Sequence, residues 1–248
     1  MQASNWLMPA VVLGLIVGLL MAAALVRRYQ QHKAQQRVMV RRIASLILLI
    51  EHALTALSTV PLARDLRVSL RREILQGYQR IQKMHPRYPH IGQRVHEAQA
   101  RLDSEGPDST GSVPPIGDEE QYSRLLSAVD QLLDHLKVAG LAPDSSAKQR
   151  ALFAQHLGER RAEIMARYHI VQAHRCEERR DVRKARQHLQ TLLSVLQRRG
   201  PNTDFVRELF HEAEQMQSNL GRAATQHDSE QNAQSLAESF TEPLRQAN

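Results

Sequence analysis

Twelve histidines and a single cysteine are the residues in this chain that could hold a metal or act as a nucleophile. His169, His174 and Cys176 come nearest to a cluster. At spacings of five and two on one helix they do not share a face, and a metal ion needs donors that converge. Arg175, Arg179 and Arg180 give Cys176 the electropositive setting of a reactive thiolate. Nucleophilic catalysis also requires a positioned base and an oxyanion site, and neither is legible. His85, His90 and His96 flank a proline-rich turn and read as capping or solvated groups. No Gly-rich loop precedes a Lys-Ser/Thr pair and no His-Glu-x-x-His occurs. The sequence therefore predicts no catalytic, cofactor-binding or metal-binding residue and no enzymatic activity.

The remaining chemistry is charge. Residues 1–101 hold 15 basic and 4 acidic side chains, net +11, whereas residues 102–248 hold 18 and 22, net −4. Arg27, Arg28, Lys33, Arg37, Arg41 and Arg42 fall within sixteen residues with no acid between them. They are the expected contacts for anionic lipid, each nearby cation contributing about 1 kcal/mol. Membrane-surface or nucleic-acid binding through residues 27–101 is the alternative function. The distal arginines, from Arg150 to Arg186, alternate with Glu159, Glu163, Glu177, Glu178 and Asp181, the pattern of a solvated helix face. With four Phe, five Tyr and one Trp, the chain is poor in rings for stacking bases, which argues against nucleic acid.

These residues must be positioned by helices. Trp6 to Val26 is an uncharged run of 21 residues, about 30 Å as a helix, closed by Arg27 and Arg28. It predicts a transmembrane helix, with the short N-terminus outside and the body on the basic, cytoplasmic side of a bacterial inner membrane. A cleaved signal peptide is the rival reading, disfavoured by the uncharged start and by the arginines behind the run. Ala10, Gly14, Gly18 and Ala22 repeat every four residues, a small-residue stripe through which two such helices could associate. Val40, Ile43, Ile47, Ile50, Leu54 and Leu57 continue as an a/d seam. That seam is expected to pack against the following helices, with a parallel homodimer through the run and the 40–57 seam as the alternative.

Pro61 ends this helix, and Leu66, Leu70, Ile74, Tyr78 and Ile81 mark the buried stripe of the next. Beyond His85-Pro86-Arg87-Tyr88-Pro89, a third helix carries Ile91, Val95, Ala98 and Leu102. Residues 104–117 are rich in Ser, Gly and Pro and read as a flexible linker. Asp118 then caps a helix whose apolar face includes Leu125, Val129, Leu132 and Leu136. Ser145 or Ser146 caps a long helix with Leu152, Phe153, Leu157, Ile164, Tyr168 and Val171 toward the core. Phe205, Leu209, Phe210, Ala213, Met216 and Leu220 form the last amphipathic helix. In the polar tail, Leu236, Phe240 and Leu244 are spaced four apart, a candidate docking turn set against the plainer reading of a frayed end.

The stretch Ala173 to Leu196 (AHRCEERRDVRKARQHLQTLLSVL) resembles one tetratricopeptide-type helix pair. Asp181 matches the acidic residue of its turn, and Lys184-Ala185 the start of its second helix, with Ala185 at the small packing position. Arg180 departs from the pattern, standing where the family usually has glycine. The resemblance covers about one repeat, with no second copy, and implies a helical hairpin.

The expected fold class is all-α: one N-terminal transmembrane helix followed by a helical-hairpin or bundle region in two units. The expected segments are 1–28 (external end and span), 29–103 (basic bundle), 104–117 (linker), 118–222 (distal hairpins) and 223–248 (tail). The expected function is a membrane-tethered interaction or scaffold protein that offers residues 118–222 to a protein partner.

Overall fold

The computed structural model describes residues 7–107, 111–138 and 146–222, with side chains from Gly18 onward apart from 19, 22–24 and 138. Every regular element among them is helical: α1 (Leu7–Ala56), a 3₁₀ turn (Leu57–Thr59), α2 (Arg64–Met84), α3 (Ile91–Asp103), α4 (Glu119–Val138), α5 (Ala147–Glu178), α6 (Val182–Arg199) and α7 (204–222). The chain is an all-α helical bundle.

One part of the expected fold class is corrected. Among the described residues no helix is long and apolar enough to cross a membrane. Over the described side chains, Leu20, Met21, Leu25 and Val26 run on, without a break in α1, into Arg27, Arg28, Lys33 and Arg37, so a bilayer-length window of about 20 residues that starts at Gly18 takes in all four of these cations. Trp6 and the side chains of Ala10, Gly14 and Ala22 lie outside the described residues, as does the tail triplet Leu236, Phe240 and Leu244. Gly18 is exposed, and a Cβ placed on it would meet nothing within 4 Å.

The chain divides into two units, residues 1–49 with 73–101 and residues 50–72 with 102–248. In the first, helical spacing places Val40 and Ile47 on one face of α1, Ile74, Tyr78 and Ile81 on α2, and Ile91 and Ala98 on α3, all buried. Gly77 allows α1 and α2 to approach closely. A Cβ there would sit 2.8 Å from Ile47 Cδ1 and 3.5 Å from Ile43 Cγ2. Both α1 side chains belong to the predicted seam, which at these positions is covered from within the chain.

In the second unit Leu62, Leu66 and Leu70 are buried on and just ahead of the first part of α2. The Ala63 amide donates to His156 Nε2 at 3.0 Å. Glu105 joins Arg67 and Arg71, each at 2.6 Å, and Arg67 also donates to the Leu62 and Pro107 carbonyls at 2.7 Å. Asp118 caps α4 through the Gln121 amide at 2.9 Å. Ser146 and Gln149 form a reciprocal capping box on α5. Asp181 caps α6 through the Lys184 amide at 3.1 Å. The helices α5, α6 and α7 enclose a shared core of Ala162, Ala166, Leu192, Leu196, Leu209 and Ala213, with Tyr122 and Leu126 of α4 against it.

Two details depart from the sequence reading. Leu152 is 54% exposed rather than core-facing. Adjacent helical positions point about 100° apart, and the buried face follows Phe153 and Leu157 instead. The described part of 104–117 is held down: Val113 and Ile116 are buried, and the Gly117 carbonyl accepts from Gln172 at 3.0 Å and from Arg175. Isolated anchors in a proline-containing extended segment leave no helical period, so composition alone suggested a linker.

Candidate functional site: an open groove and a basic pocket

The second unit carries an open groove of about 530 Å³. Its walls come from the end of α1 and the 3₁₀ turn (Thr55, Ser58, Thr59) and from the start of α4 (Gln121, Arg124), with Leu125 among the lining residues. The 3₁₀ turn packs on α4, and Leu125 is buried while Arg124 is exposed, so one helical step places an apolar contact and a cation side by side. The lining offers hydroxyls, an amide and the His52 imidazole, which can both donate and accept, and one guanidinium, which only donates.

The first unit carries a pocket of about 380 Å³. Lys33 and Arg37, one turn apart on α1, line it together with Met84 at the end of α2 and His85, Pro86 and Arg87 in the turn that follows. In that turn the His85 amide donates to the Ile81 carbonyl at 2.7 Å and the Tyr88 amide to the His85 carbonyl at 2.9 Å. The His85 ring stands edge-on to Tyr88, with centroids 6.4 Å apart. Lys33 Nζ lies 4.6 Å from the centroid of the Tyr29 ring. Of the six expected lipid-contacting cations, all exposed on α1, the pocket brings together Lys33 and Arg37; Arg27, Arg28, Arg41 and Arg42 are not part of it. Arg87 is the member that the sequence did not single out, fifty residues further along the chain than Arg37.

A histidine of the sequence cluster pairs with a different residue. His169 does not meet His174 or Cys176. Its Nδ1 lies 3.3 Å from Nδ1 of His188 on α6, and its ring stands edge-on to the stacked pair Tyr122 and Tyr168. Burial, then the neighbouring His188, lowers the His169 pKa from 6.5 to about 4. Burial likewise raises both tyrosines above their usual value. Neutral groups packed by their rings stabilise a helix junction and supply no convergent acid and base. Among the described residues no group of three or more His, Cys, Asp or Glu is placed to hold a metal. Cys176 is half-buried against Ala173, Ala185, Leu189 and Leu220.

The helix pair resembling a tetratricopeptide unit is a hairpin of α5 and α6, with Asp181 capping and Ala185 fully buried. Arg180, standing in place of glycine, has φ +59°, the left-handed conformation that glycine adopts without strain. The chain matches no protein-family model, no curated protein and no solved structure.

Proposed function

We propose that this chain is a non-enzymatic helical interaction protein that binds an acidic, extended segment of another protein in the groove between the 3₁₀ turn and α4. The observation that carries the reading is the lining itself. Thr55, Ser58, Thr59 and Gln121 supply uncharged hydrogen-bonding groups around Leu125, and Arg124 supplies a fork matched to a carboxylate. A groove of this size lies within the usual range for ligand sites, about 300–1,000 Å³. Expected partners carry Asp or Glu within an otherwise uncharged stretch.

The test is co-purification of the full chain from its native cells, in parallel with Arg124→Glu and Thr59→Arg. The wild type is expected to recover a defined protein that both variants lose while their helical circular dichroism is retained. Equal recovery by all three chains would remove the groove from the function.

A further inference from the structure

We propose that the pocket lined by Lys33, Arg37 and Arg87 binds a phosphate group, carried on a small molecule or on a lipid headgroup. The pocket lies in a different unit from the groove and suits a different ligand chemistry. The first unit carries eleven basic and two acidic side chains, and no carboxylate lines the pocket among the described residues. Lys33 and Arg37 are like charges at i and i+4, an arrangement that destabilises a helix. Arg87 reaches the same concavity from another element, adding a third positive charge. A solvated charged face relieves repulsion by spreading its cations. Here the fold gathers three of them around a cavity, which favours an anion at their centre.

The chemistry of the lining selects phosphate over a simple carboxylate. Two guanidiniums offer forked donor pairs and Lys33 a compact point charge, a set that matches the several oxygens of a phosphate. Met84 and Pro86 form the apolar part of the wall. Preorganisation comes from both sides. Arg87 sits on a hydrogen-bonded turn between two prolines, and the Tyr29 ring holds the Lys33 ammonium without neutralising it. The volume of about 380 Å³ admits a phosphate together with a small attached group.

Full-length protein is titrated with sodium pyrophosphate by calorimetry, and sedimented with vesicles of phosphatidylglycerol in phosphatidylcholine and of phosphatidylcholine alone. Wild type is compared with Arg37→Gln, Arg87→Gln and the control Arg80→Gln, which removes an exposed cation of the same unit outside the pocket. All three variants are checked by circular dichroism. Saturable binding is expected, weakened about tenfold by each pocket variant and less than about twofold by the control. Saturable pyrophosphate binding with that selectivity identifies a small phosphorylated ligand as the source. Selective loss of phosphatidylglycerol vesicle binding alone identifies a headgroup. Absence of binding in both arms, or equal weakening by Arg80→Gln, overturns the proposal, because diffuse charge would then account for everything seen.

Discussion

The Val113 amide donates a 2.8 Å hydrogen bond to Oε1 of Glu163, a carboxylate with no exposed surface. Its other oxygen meets Arg160 at 2.6 Å, and the Arg160 guanidinium lies 5.5 Å from the Phe205 ring centroid. One buried acid thus fastens the extended segment 111–117 to α5 and orients a cation toward α7. Removing one partner of a buried charge pair strands the other, at a typical cost of about 3–5 kcal/mol. Glu163→Ala is expected to lower unfolding stability by that amount. Glu163→Gln keeps an acceptor for Val113 but loses the charge opposite Arg160, and is expected to cost about 2–3 kcal/mol. Urea unfolding midpoints check both, and a loss below about 1 kcal/mol for the alanine variant would show that the clamp is not needed.

His169 makes the stability of the second unit depend on acidity. In the folded chain it is neutral down to about pH 4, whereas the unfolded side chain takes up a proton near 6.5. The unfolded state binds the extra proton throughout that interval, so this contribution is complete above about pH 6.5 and is lost as the pH falls toward 4. Each pH unit of separation corresponds to about 1.4 kcal/mol, and allowing for the ring's remaining contact with solvent the loss is about 2–3 kcal/mol. Stability measured by urea at pH 7 and pH 4.5 in wild type and His169→Gln should show a smaller pH difference in the variant. Parallel curves for the two proteins would contradict the assignment.

What the sequence disclosed was local. The stripe from Leu66 to Ile81, the cap Asp118 and a cap at Ser145 or Ser146 are written in spacing and residue type, and the stripe, Asp118 and Ser146 are realised. Juxtapositions that depend on register are not written there. His188 lies nineteen residues from His169, and only the α5–α6 hairpin brings the two together. Arg87 joins Lys33 and Arg37 only once the proline turn is folded. The apolar run before Arg27 suggested a membrane-crossing helix, whereas among the described residues no helix is long and apolar enough to cross a membrane. Segment 111–117 is anchored by isolated contacts that no periodicity announces.

Gly77 and Ile47 set how closely α1 and α2 approach in the first unit. Gly77→Ala gains about 1 kcal/mol of helix propensity, but its methyl meets the buried Ile47 side chain, and overpacking costs about 1–3 kcal/mol. The net expectation is a loss of about 1 kcal/mol. Ile47→Ala removes both the Cδ1 and the Cγ1 atoms, which lie 2.8 and 2.9 Å from where the methyl of Gly77→Ala would sit, and should cost about 2–5 kcal/mol alone but about 1 kcal/mol less in the Gly77→Ala background. A double-mutant cycle measures that coupling directly. Strict additivity would mean that the two residues are not in contact.

Arg180 offers a change in the opposite direction. It closes the α5–α6 hairpin at φ +59°, where its amide donates to the Glu177 carbonyl at 2.8 Å and the Asp181 amide donates to the Cys176 carbonyl at 2.8 Å. A non-glycine residue held in this conformation costs about 1–2 kcal/mol, while glycine adds about 0.5–1 kcal/mol of unfolded-state entropy. The strain is the larger quantity, so Arg180→Gly is expected to stabilise the chain by about 0.5–1 kcal/mol, read as a higher urea midpoint with an unchanged slope. Arg180→Ala separates the causes, because it deletes the side chain and keeps the Cβ that produces the strain. It should leave stability close to wild type if conformation, rather than lost charge among Arg175, Arg179 and Arg183, is responsible. A gain from alanine equal to that from glycine would assign the effect to charge repulsion instead.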